Sequence, residues 1–141
     1  MKILGKLLTA FVMLTAAPLF AQTQSCLLMK VDVPFAFSAG KQILPAGNYY
    51  VTAITPENTI ALVSSPNGQH SLILADLPNY SDSPSADSRL VFQKYGNEYF
   101  LTQVWVKGDN VARNPLISKR QSDIARSGVR PSLTTVLADA H

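Results

Sequence analysis

The sequence predicts an all-β fold: one antiparallel β-sandwich or partly open small barrel of six to seven strands, followed by an irregular or short-helical C-terminal tail. Three observations carry this expectation. Runs of β-branched and aromatic residues recur at short intervals, each bounded by Gly, Pro, Asn or Ser. Asn67-Gly68 and Gly96-Asn97 each sit between two such runs, which is hairpin turn chemistry. No long segment after the first twenty residues carries helical apolar spacing.

Residues 1–21, "MKILGKLLTAFVMLTAAPLFA", read as an export signal. Lys2 and Lys6 form a positive start, an uncharged apolar run follows, and Pro18 precedes a small residue, Ala21, as the expected cleavage point. The apolar run is shorter than the roughly 20 residues a membrane span needs, and polar "QTQS" follows it. The expectation is an exported chain, periplasmic or extracellular, with no transmembrane span after cleavage. Cys26 is the single cysteine; it cannot close an internal disulfide, so it stays free or links two chains as a Cys26-linked dimer. Lipidation at Cys26 is disfavoured because the apolar run stops at Phe20.

The formal charge of +3 includes Lys2 and Lys6, so the chain beyond Ala21 carries ten basic against nine acidic residues. Near-neutrality argues against nucleic-acid binding. The remaining length suits one domain with one core, read as a β-domain over 22–106 and a basic tail over 107–141 that packs on the domain or extends from it.

The strands expected are 27–33, 48–55, 59–64, 71–76, 88–95 and 98–106, with Val31, Val33, Phe35 and Phe37 alternating with polar or small residues through Pro34. Pro34 cannot donate to a ladder and marks an edge or bend. Ser38 to Lys41 and Leu44 to Gly47 read as turns, so that Tyr49, Val51 and Ala53 leave on one face. With a turn at Gly96-Asn97, Lys94 faces Tyr99, Phe92 faces Leu101 and Leu90 faces Gln103. Strict alternation then gives a core face of Leu90, Phe92, Tyr99, Leu101 and Trp105, and an opposite face that holds Val91, Phe100, Val104 and Val106. That second face is apolar enough to need cover from the tail. Residues 77–88 read as a mobile Ser/Asp/Pro loop, and 115–126 as a short helix with Pro115 in its first turn and Gly128 beyond its end.

The signature Val33-Pro34-Phe35-x-Phe37, then Leu44-Pro45-Ala46-Gly47 with Tyr49 or Tyr50 and Val51, resembles a family of small secreted bacterial all-β proteins. Later matching positions are Leu90, Phe92, Tyr95, Gly96, Tyr99, Phe100, Leu101 and Trp105, and then Ser118, Lys119 and Arg120. The resemblance spans most of 31–120. It implies an exported all-β domain and brings no activity and no catalytic residue to transfer.

The chemistry-bearing residues are sparse. Gly40-Lys41 lacks the first glycine and the hydroxyl of a phosphate loop, having Phe35 and Gln42 at those places. His70 sits in a hairpin turn and His141 is the last residue, so neither a hydrolytic triad nor a metal-ligand spacing forms. Paired carboxylates for glycoside hydrolysis are the residual enzymatic reading, although Glu57, Asp76, Asp82, Asp87, Glu98 and Asp109 fall in turns. No catalytic, cofactor-binding or metal-binding residue is assigned. The expectation is a non-enzymatic structural or protein-interaction module whose partner is an unknown protein or cell-envelope component. One alternative is a small barrel holding an apolar ligand, motivated by Phe35, Phe37, Tyr49, Tyr50, Phe92, Phe100 and Trp105. The other is binding to a membrane or polysaccharide surface through Lys119, Arg120, Arg126 and Arg130.

Overall fold

A computed structural model describes residues 26–53, 61–68, 71–74 and 77–139. The export segment, Glu57, His70, Asp76 and His141 lie outside these. The described chain is mostly strand and forms two packed sheets with one short helix, without closing into a barrel.

The first sheet has the order β1-β4-β5-β6, from β1 (Cys26–Val33), β4 (Gly47–Ala53), β5 (Ala61–Ser64) and β6 (Ser71–Leu74). The second runs β11-β8-β9-β10-β7, built from β7 (Leu77–Tyr80), β8 (Arg89–Tyr95), β9 (Glu98–Trp105), β10 (Val111–Asn114) and β11 (Ser132–Leu137). The hairpin of β2 (Phe37–Ala39) and β3 (Gln42–Leu44) joins this sheet through one parallel bridge, Ser38 opposite Phe100. Every other pairing is antiparallel.

Strand number exceeds the expected six to seven because short pairings arise where the sequence shows no alternation. Residues 77–80 of the supposed mobile loop form β7 against β10, and the loop beyond is anchored. Ser85 is buried, its hydroxyl donates to the Asp87 carbonyl and accepts from Arg89 Nη1, both at 2.8 Å. The segment after residue 106 contributes β10 and β11 to the sheet and the helix α1 (Lys119–Arg126) to its outside. The helix starts later than Pro115 because Ser118 caps it: the Ser118 hydroxyl accepts from the Gln121 N–H at 3.1 Å. Gly128 follows its end with φ +86°.

The core lies between the sheets. Met29, Val31, Val33, Tyr49, Val51 and Val63 of the first sheet meet Phe37, Leu44, Leu90, Phe92, Leu101 and Val104 in one buried cluster. Its centre is aromatic. Phe92 takes Phe35 and Phe37 edge-on at 5.0 and 5.2 Å, and Phe37 meets Tyr49 edge-on at 5.4 Å. Edge-to-face contact is the geometry ring quadrupoles favour.

Residues 32–55 hand one sheet to the other. β1 ends at Val33 because Pro34 supplies no N–H. Gly40, at φ +57°, turns β2 directly into β3, so strand follows strand where a phosphate loop would open a helix. Leu44 to Gly47 then turns the chain into β4, and the Tyr49 hydroxyl donates a short hydrogen bond to the Pro45 carbonyl. This is the tyrosine tie found at corners of β-sandwiches. It accounts for the Leu-Pro-Ala-Gly-x-Tyr spacing: the ring is buried in the core while its hydroxyl locks the corner that precedes it. Burial pushes the Tyr49 phenol pKa up.

Candidate functional site

The β8–β9 hairpin decides what each side of the second sheet offers. Its first half follows simple alternation: Tyr95 opposite Glu98, Lys94 opposite Tyr99, Phe92 opposite Leu101. Between Phe92 and Val91 the register shifts, so that Val91 faces Gln103 and Leu90 faces Val104. Thr102 is the extra residue, and its hydroxyl donates to the Val91 carbonyl at 3.0 Å. A bulge of one residue reverses the parity of everything beyond it. Val104 and Val106 therefore turn into the core, and Trp105 turns out. The expected pairing of Leu90 with Gln103 and the expected inward Trp105 are corrected by this single insertion.

The outer face is consequently neither a second core nor a bare polar surface. Val91, Trp105 and Ala112 form a small buried cluster. Arg89 lies over the Trp105 ring, 5.2 Å from its centroid, and Tyr95 meets Phe100 edge-on at 5.8 Å. Amides tie the face together. Trp105 Nε1 donates to Gln103 Oε1 at 2.9 Å, while Gln93 Oε1 accepts from Gln121 Nε2 at 3.1 Å and from the Tyr95 hydroxyl at 3.2 Å. Through Gln121, which is buried, α1 is docked on this face. The tail thus covers part of this face, although Val104 and Val106, half of the apolar residues behind that expectation, turn into the core instead.

Cover is incomplete. Between β8, β9, the 114–117 segment, α1 and β11 lies an open groove of about 380 Å³. Val91 and Pro115 are part of its lining, and Ile117 and Leu133 stand at its rim 66 % and 72 % exposed. Asn114 also lines it; the buried Oδ1 of that side chain has no hydrogen-bond partner among the described residues. A buried acceptor without a donor is costly.

The four cations named from sequence do not gather into one site. Lys119 and Arg120 sit in the first turn of α1, Arg126 in its last, and Arg130 beyond Gly128; all are exposed. Arg120 is engaged with Glu98 of the hairpin turn, Nε to Oε1 at 2.7 Å. Lys119 and Arg126, seven apart, share a helix face on which Asp123 lies between them. Cys26 is the first residue of β1, its backbone opposite Ala53. With one cysteine in the sequence, a Cys26-linked dimer gains no support.

The sequence reading missed Arg113 and Gln121. Arg113 is only 5 % exposed on β10, with its guanidinium 3.9 Å from Asp109. Nothing in its surroundings marks it, since the alternation is lost there. Gln121 was legible: Ser118-x-x-Gln121 is the spacing of a capping box. Among the described residues no group of three His, Cys, Asp or Glu comes together to hold a metal, and no helix is long and apolar enough to cross a membrane.

Comparison of the chain with protein-family models, with curated proteins and with solved structures returned no match.

Proposed function

We propose that this chain is an exported, non-enzymatic β-sandwich module that binds a protein through the outer face of its second sheet. The groove carries this reading: apolar Ile117 and Leu133 stand exposed at its rim, beside Val91 and Pro115 in its lining. An apolar side chain of a polypeptide partner, seated between them, would bury this exposed surface. The apolar-ligand barrel loses its motivation, because Phe35, Phe37, Tyr49 and Phe92 pack on one another in the core. Surface binding by the basic tail is weakened by Glu98 and Asp123 among its cations.

The test is affinity capture from the cell envelope of the producing cell with the wild-type protein and with Ile117→Arg. Ile117 is exposed, so the substitution leaves the fold intact, as a circular dichroism spectrum verifies. A single protein retained by the wild type, lost by Ile117→Arg and rebinding as a purified component supports the reading. Retention indifferent to Ile117→Arg, or a small molecule found in the groove by native mass spectrometry, overturns it. The same spectrum tests export: a chain that starts at Gln22 is expected, and one that keeps Met1 contradicts it.

A further inference from the structure

The last strand of the second sheet leaves one edge open, and that edge is self-complementary. β11 pairs with β8 along its whole length, from Ser132 opposite Lys94 to Leu137 opposite Arg89. The Ala138 N–H continues this ladder to the Ser88 carbonyl, whereas the Asp139 N–H points the other way and reaches the Lys30 carbonyl, both at 2.9 Å. Backbone polarity alternates along a strand. The even-numbered residues of β11 therefore serve β8, and Leu133, Thr135 and Leu137 aim their N–H and C=O groups outward. No strand pairs with them there among the described residues, although β1 comes alongside the far end, where Leu28 and Met29 line a pocket with Leu137.

This open row is bounded on both sides. Pro131 has no N–H to offer, and Asp139 has spent its own on Lys30. Three residues with free donors and acceptors remain, symmetric about Thr135. Their side chains share the solvent face, where Leu133 is 72 % and Leu137 60 % exposed and Thr135 is exposed between them. Residues 132–137 contain no charge, no proline and, in the pairing with β8, no bulge, which are the usual devices against edge-to-edge association.

We propose that β11 is the interface between two copies of this chain, paired antiparallel about a two-fold axis through Thr135. In that register Thr135 faces Thr135 and each Leu133 faces a Leu137, and every residue so paired carries outward backbone groups. About six main-chain hydrogen bonds form across the axis, two for each pair. A shift by one residue would set outward groups against inward ones; a shift by two would strand one leucine at each side. The contact is isologous and closes at two copies. It goes beyond the groove reading, since it rests on backbone pairing at the sheet edge; Leu133 is the residue that both use.

Analytical ultracentrifugation of the protein purified from its producing cell, at up to about 100 μM and in reductant, tests it. A dimer is expected, persisting in Ile117→Arg. Thr135→Pro removes an outward N–H while sparing the ladder to β8, and should leave a monomer. Leu133→Lys with Leu137→Lys sets like charges opposite each other and should raise the dissociation constant about tenfold or more. Leu133→Glu with Leu137→Lys alters the same positions but sets opposite charges face to face, and should restore the dimer. Trp105 fluorescence checks that each variant is folded. A wild-type monomer throughout this range, a dimer that reductant dissolves, or a dimer untouched by both Thr135→Pro and the double lysine variant overturns the proposal.

Discussion

The two faces of the β8–β9 hairpin come from one short sequence and are put to opposite uses. Its inner face carries Leu90, Phe92, Leu101 and Val104, sealed between the sheets. Its outer face carries Val91 and Trp105 in a minor cluster, and then amides, a docked helix and an open groove. The inner face needs only apolar volume and tight packing, whereas the outer one holds its shape through directed hydrogen bonds. Substitution should therefore cost stability inside and organisation outside.

The largest difference is expected from truncation. Phe92→Ala removes the ring that Phe35 and Phe37 both meet, and should destabilise the fold by about 3–5 kcal/mol. Chemical denaturation would read this as a lowered midpoint with little change in slope. An effect of the size typical for an exposed site would erase the distinction between the faces.

On the outer face, Gln121→Ala breaks the Gln121–Gln93 bond that docks α1. The expected cost is about 1 kcal/mol. The sharper sign is faster amide exchange confined to 119–126, with exchange in β8 and β9 unchanged. Global acceleration would mean that the helix belongs to the core after all.

Smaller still, and on the inner side, is a dependence on alkaline pH through Tyr49. Burial raises the folded-state pKa of its phenol above the unfolded value. The neutral form is thus favoured by folding, and this contribution is complete below the unfolded pKa of about 10. It is lost as pH rises through the folded pKa. Stability should fall in that alkaline range, and the fall should be shallower in Tyr49→Phe. That variant also gives up the bond to Pro45, at a cost of about 1 kcal/mol in neutral solution.

How much of this was legible in the sequence differs by region. Strands with period-two alternation were clear, as in the buried Tyr49, Val51 and Ala53 of β4, because alternation records a buried face directly. So was the two-residue turn at Gly96, whose φ of +62° few other residues tolerate. The bulge was not. Thr102 sits in a run that alternates equally well in either parity, Phe100 and Val104 being as apolar as Leu101 and Trp105, so composition could not locate the extra residue. β7, β10 and β11 were hidden for a related reason: strands partly exposed or carrying Arg113 and Asn114 record their pairing in backbone bonds, which leave no pattern in side chains. The groove inherits that illegibility, since Val91, Leu133 and the pair Asn114 and Ile117 come to it from three separate segments.

The single residue that divides the two faces is Thr102, and deleting it tests the account most directly. Without Thr102, Gln103 follows Leu101 directly in the ladder, so Val104 and Val106 should still face the core and Trp105 should still face out. Equilibrium denaturation of the deletion variant, followed by Trp105 fluorescence, should show a folded protein with an unchanged Trp105 spectrum and a loss of about 1 kcal/mol, that of the Thr102–Val91 hydrogen bond. A deletion variant with no folded state, or with Trp105 moved into the core, would contradict it, since Thr102 would then not be the residue that stands outside the ladder.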